Sequence, residues 1–243
     1  MKKSTPYIII ALAVIIFAFI ISNAYKYKFV STETIVVTGL AQKDFTSDLI
    51  VWKGSFTRNG FDLKQVYKEI KQDEASIKKY LIEKGLPDSS IVFSSINTYK
   101  NFQTKYSDQG IVIGSVFQGF NLTGEVTVNS KDIALVEKIS REVTELLQNG
   151  IEFSSMQPAF YYTKLHDLKI DILAQAAADA KLRAETIAKS SGVKISNLKR
   201  ASTGVFQIVG KNENEEFSYG GSFNTSSKEK TASITIRSEF LCQ

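Results

Sequence analysis

The chain has 243 residues and a formal net charge of +5, with 43% hydrophobic and 23% charged residues. That is globular composition, with room for one large domain or two small ones, and it excludes a disordered chain. Cysteine and histidine occur once each, as Cys242 and His166, which excludes an intrachain disulfide and an intrachain Cys/His zinc site. The excess charge does not mark a nucleic-acid binder. Lys2, Lys3, Lys26 and Lys28 flank one apolar run, and setting those four aside takes +5 to +1. No basic block remains, so nucleic acid is not an expected partner.

The first element is the apolar run itself. Residues 4–25 carry no charge, and Ile8 to Ile21 are all Ile, Leu, Val, Ala or Phe. As a helix, such a stretch reaches about 33 Å, close to the ~30 Å hydrocarbon core of a bilayer. Its apolar surface runs all the way round, unlike the one-sided stripe of a soluble helix. Residues 1–24 are therefore read as a membrane anchor or signal peptide, with residues 7–24 contacting the cytoplasmic membrane. The span length favours an uncleaved anchor. Small residues in Ser22-Asn23-Ala24 leave cleavage after Ala24, with release to the periplasm, as the alternative. Residues 25–32 form an expected tether, and 33–243 the main domain. Lys2 and Lys3 keep the N-terminus cytoplasmic, which places that domain outside the membrane.

Three amphipathic helices follow. The first spans about Leu63 to Lys84, with Leu63, Val66, Ile70, Ile77 and Leu81 on one side. Asp62 is its expected N-cap and Gln65 the capping-box partner. The second spans about Lys131 to Gln148, with Ile133, Val136, Ile139, Val143 and Leu146 on one side and Ser130 as cap. The third spans about Lys164 to Ser190, with the stripe Leu165, Leu168, Ile172, Ala176, Ala180, Ala184 and Ile187. Gly85, Gly150 and Gly192 close the three helices, each followed by an apolar residue that opens a strand. Strands are expected over residues 34–40, 48–58, 91–100, 112–128, 151–162, 194–208 and 230–241. The order ββα, ββα, βα, ββ predicts an α+β fold, mostly antiparallel sheet with three amphipathic helices packed on it. Residues 210–227 read as a long polar loop.

One combination of segments carries a resemblance. Ile151-Glu152-Phe153-Ser154 precedes the alanine-rich stretch Ala174 to Ala188, which leads to Ser191-Gly192-Val193-Lys194-Ile195. Upstream stand Val37-Thr38-Gly39, Lys43-Asp44-Phe45 and Ser47 to Trp52. Together these resemble the SIMPL-domain family, which includes the YggE-like and periplasmic immunogenic proteins of bacteria, over about residues 33–241. The resemblance implies an exported or membrane-anchored bacterial protein, in some cases linked with oxidative-stress tolerance. It supplies no catalytic residues to carry over.

No constellation of reactive groups stands out, so no catalytic, cofactor or metal residues are assigned and no enzyme is expected. His166 has only the sequence neighbour Asp167, which points elsewhere on a helix. Cys242 reads as an inert residue closing the last strand. The acids in Asn212 to Glu216 match no calcium loop. Tyr99, Phe102 and Tyr106 read as ordinary strand aromatics beside Lys100 and Lys105. Phe217, Tyr219 and Phe223 lie among flexible polar residues and form a candidate partner-contact loop. The expected function is non-enzymatic, through protein contacts or self-assembly as a homo-oligomer. The alternative is a small-molecule or envelope-component binding module with its pocket between sheet and helices. A hydrolase using Asp167, Asp171 or Glu185 is a third reading.

Overall fold

The computed structural model describes residues 5–30, 33–213 and 218–242. Helix α1 (Thr5–Val30) stands apart: Ile9–Lys26 is long and apolar enough to cross a membrane, and none of it is buried against protein. The helix does not stop at Ala24. It continues through most of the expected tether, because Tyr25 to Val30 contains neither glycine nor proline to end it.

In chain order there follow β1 (Thr34–Thr46), β2 (Leu49–Gly60), α2 (Leu63–Glu83), β3 (Ile91–Phe93), β4 (Asn97–Tyr106) and β5 (Val112–Ser130). Then come α3 (Ile133–Glu142), β6 (Glu152–Ser155), β7 (Ala159–Tyr161) and α4 (Leu165–Ser190). Strands β8 (Ile195–Thr203), β9 (Gln207–Gly210), β10 (Ser222–Phe223) and β11 (Glu229–Cys242) complete the chain. The fold is α+β, and every strand pair is antiparallel except the short β9–β10 pair.

The strands form two sheets rather than one. In the first sheet β11 is central, with β1 along one side and β8 and β9 sharing the other. In the second, β2 and β5 are central; β3 and β4 flank β5, and β6 and β7 flank β2. Strands β1 and β2 are therefore not a hairpin. The chain crosses from one sheet to the other at Ser47-Asp48, because each strand buries one face against a different set of helices.

Helices α2 and α3 cover the second sheet. Even-numbered residues Ile50, Trp52 and Phe56 of β2 point into this core with Val66, Ile70, Ile77 and Leu81 of α2 and Val136 and Ile139 of α3. Each fully buried side chain of this size contributes about 1.5–3 kcal/mol. Trp52 donates its indole N–H to Ser155 Oγ at 3.0 Å, and Ser155 Oγ in turn donates to the Ser140 carbonyl at 2.8 Å. One charged residue, Asp73, sits in the buried stripe of α2 and takes a two-pronged bond from Arg58 of β2, at 2.5 and 2.8 Å.

The caps depart from the expected pattern in two places. Asp62 accepts from the backbone N–H groups of Lys64 and Gln65, as a cap should. Gln65, however, donates forward to Glu69 and completes no capping box. Helix α3 is capped by Asp132, which accepts from Leu135 N–H, while Ser130 Oγ accepts from Asp132 N–H. Helix α3 is also shorter than its stripe implies. Residues Val143–Asn149 tighten into a 3-10 turn, whose three-residue repeat keeps Val143 and Leu146 on the buried side.

Helix α4 covers the first sheet with small residues. Leu168, Ile172, Ala176, Ala180, Ala184 and Ala188 are buried against Val37, Ala41, Ile234 and Ile236. Ile187, expected in this stripe, is 47% exposed, and Ala188 takes its place. Each step of four overshoots a full helical turn by about 40°, so the buried strip winds around α4 as it crosses the twisted sheet. Asp179 of α4 accepts the edge N–H of Leu40 at 2.8 Å, and Asp171 pairs with Lys43 at 2.6 Å.

The two sheets meet around Lys230 of β11, whose side chain is 2% exposed. Its ammonium donates to Ser47 Oγ at 3.1 Å and to the Phe160 carbonyl of β7 at 2.7 Å. Asp48 accepts from the N–H and hydroxyl of Thr163, just ahead of α4.

Candidate functional site

Outside helix α1, the β4–β5 hairpin carries a large share of the exposed apolar surface among the described residues. Strand β5 is 19 residues long, about 65 Å when extended, and only its second half lies in the body of the sheet. The first half pairs with β4 alone, and every residue of β4 is exposed. The tip is closed by Ser107, whose hydroxyl accepts from Gln109 and Ile111 N–H and whose backbone N–H donates to the Ile111 carbonyl. Gly110 takes positive φ there (76°), as the turn requires.

The hairpin is apolar where an ordinary surface ribbon is polar. Tyr99, Phe102, Tyr106, Ile111, Val112 and Ile113 are each about three-fifths exposed. Phe102 stacks edge-on to Phe117 at 5.7 Å between centroids, and Phe117 contacts Phe120 at 5.2 Å and Phe61 at 6.2 Å. Phe120 packs on the core of the second sheet, so the aromatic row runs outward from that core. Register shifts leave Gln118 and Ile113 unpaired and twist the ribbon. Among the described residues, no third strand joins either edge of the hairpin below Phe120. Open edges beside apolar side chains are a template for pairing with another chain.

Sequence reading treated Tyr99, Phe102 and Tyr106 as strand residues and missed this surface. A usable signal was present. An expected strand over 112–128 is far longer than the usual five or six residues, and a long strand beside a Ser-Asp-Gln-Gly turn must leave the body of its sheet.

The described part of the expected contact loop is tied to the first sheet. Tyr219 is 93% exposed and Phe223 is half exposed, with its ring 6.5 Å from that of Tyr161; Phe217 lies outside the described residues. Gln207 clamps the loop by accepting from Ser218 N–H and donating to the Ser218 carbonyl. Ser222 and Phe223 form β10 against β9, inside the segment expected to be loop.

The remaining candidates stay dispersed. His166 and Asp167 are exposed in the first turn of α4, and Glu185 is exposed near its far end. The Lys43 hydrogen bond holds the Asp171 carboxyl below the usual carboxylate range, the opposite of what a general acid needs. Cys242 is half-buried, and its N–H donates to the Glu33 carbonyl at 3.0 Å. Among the described residues, no three His, Cys, Asp or Glu side chains are placed to hold a metal ion. The space between sheet and helix is an open groove of about 690 Å³ beside β1 and α4, lined by Val37, Leu182, Arg183 and Ile187.

One comparison bears on the whole domain. The SIMPL family model, described as a protein of unknown function (DUF541), matches residues 35–239. No curated protein matches the chain.

Proposed function

The chain belongs to the SIMPL family, and on that footing we propose that it is a membrane-tethered extracytoplasmic protein acting through protein contacts rather than catalysis. The β4–β5 hairpin is the contact surface, and the partner is a second copy of the chain. Helix α1 supports the tether: it has the length and composition of a signal anchor or signal peptide. The observation that carries the reading is the exposed aromatic row of the hairpin. Taking 150–250 Å² for an aromatic side chain, Phe61 and the exposed apolar residues of the hairpin leave on the order of 900 Å² open, counted over both faces of the ribbon. That matches the roughly 800 Å² each partner contributes to a stable interface and exceeds the patch an ordinary monomer carries.

The test is the mass of the full chain in detergent micelles, by size-exclusion chromatography with light scattering corrected for detergent. The expected result is a defined oligomer for the wild type and a monomer for the F102S/I113D double variant, with unchanged melting temperature. A wild-type chain that stays monomeric at the highest attainable concentration would overturn self-assembly through the hairpin.

A further inference from the structure

The first sheet is covered by α4 on one face only. On its other face three strands lie side by side, and their registers place residues in rows. Val36 of β1 stands opposite Glu239 of β11, which stands opposite Arg200 of β8. In the next row Thr38, Arg237 and Ser202 stand side by side. Val36, Arg200, Ser202, Arg237 and Glu239 line a hollow of about 290 Å³. Both guanidinium groups are exposed, and neither has a carboxylate within ion-pair distance among the described residues. Among the described residues lining the hollow the one acid, Glu239, is already engaged by Lys199 at 3.0 Å. Three cations thus surround one carboxylate.

Chain connectivity fixes where this face can go. The apolar span ends at Lys26, the helix ends at Val30, and β1 begins at Thr34. Four helical residues rise about 6 Å, and four extended steps cover at most about 14 Å. Thr34 therefore lies within about 20 Å of the end of the span, and Val36 is two residues further on. Val36 and Leu40, 48% and 43% exposed, add apolar contact on the same face as the arginines. A face that is cationic, partly apolar and held this close to a bilayer matches the phosphate layer of acidic lipids, and guanidinium groups suit phosphate oxygens in particular.

We propose that the open face of the first sheet docks on the membrane surface, with Arg200 and Arg237 taking the phosphate of an anionic phospholipid headgroup. The inference rests on reading α1 as an anchor.

The test uses the full chain in lipid nanodiscs and an arginine-specific reagent, phenylglyoxal, with modification read residue by residue by mass spectrometry. Discs of phosphatidylcholine alone are compared with discs containing phosphatidylglycerol. Arg200 and Arg237 should label about fivefold more slowly in the anionic discs. Arg141 of α3, also exposed and without an ion pair among the described residues, should label alike in both. Equal labelling of Arg200 and Arg237 in the two discs would overturn the docking surface. So would the same protection from inorganic phosphate in phosphatidylcholine discs, which would make the hollow a site for soluble phosphate. A chain that fails to enter discs at all would overturn the anchor and this inference together.

Discussion

Replacing Gly39 by alanine tests the contact on which the first sheet and α4 depend. A Cβ at position 39 would stand 2.2 Å from the Ala176 carbonyl oxygen, 2.5 Å from Ala180 N and 2.8 Å from Ala180 Cβ. Ordinary contact begins near 3.4 Å, so α4 must retreat by about 1 Å, and backbone atoms cannot yield by changing rotamer. The retreat would loosen the alanine stripe along its length. Overpacking costs about 1–3 kcal/mol, and the backbone partners place G39A near the upper end, at about 3 kcal/mol. At about 2–4 °C per kcal/mol for a chain of this size, the melting temperature should fall by about 6–12 °C. Circular dichroism melts of the full chain in detergent would measure it, beside Q42A, an exposed β1 substitution expected to stay within about 0.5 kcal/mol. Trp52, the single tryptophan, lies in the other core, so its fluorescence reports whether that core melts together with the first. A G39A melting temperature within about 2 °C of wild type would refute the close packing of β1 on α4.

Two further substitutions probe buried charge. Burial holds the Lys230 ammonium below the ordinary lysine pKa, so the unfolded chain binds more protons between that lowered value and about 10.4. Wild-type stability should therefore rise relative to K230M as pH increases through that window, seen as urea midpoints at neutral pH and near pH 10; a constant difference would exclude a depressed lysine. Asp73→Asn should cost about 2 kcal/mol by weakening the charge-assisted pair with Arg58, and the R58M/D73M double variant should recover part of that loss. Additive losses for the two positions in a double-mutant cycle would show that they are not coupled.

Much of the fold was legible because helix signals are local. The apolar stripe and Asp62 located α2 within a residue of its ends, and Gly192 marked the end of α4. The division into two sheets was less accessible, because β1 finds its partner, β11, almost two hundred residues away, and no local pattern encodes that choice. Asp73 offered a clue that was passed over: an acid between Ile70 and Ile77, on the apolar side of a helix, requires a cationic partner from a neighbouring strand. The hairpin escaped for a different reason. Alternation of aromatic and polar residues looks the same whether a strand is covered or bare, and only the length of β5 distinguished the two.

Pairing of the first strand with the last also sets an order of events for a chain that is synthesised from its N-terminus onward. Residues 49–161 contain the whole second sheet, and they emerge before any of β11 does. That module can close its core while β1 still lacks its central neighbour. Only the final fourteen-residue strand lets the first sheet form, so its folding is a late, long-range closure rather than a local one. A chain cut short before Glu229 would keep the core around Trp52 and leave the alanine face of α4 with no β11 to cover it.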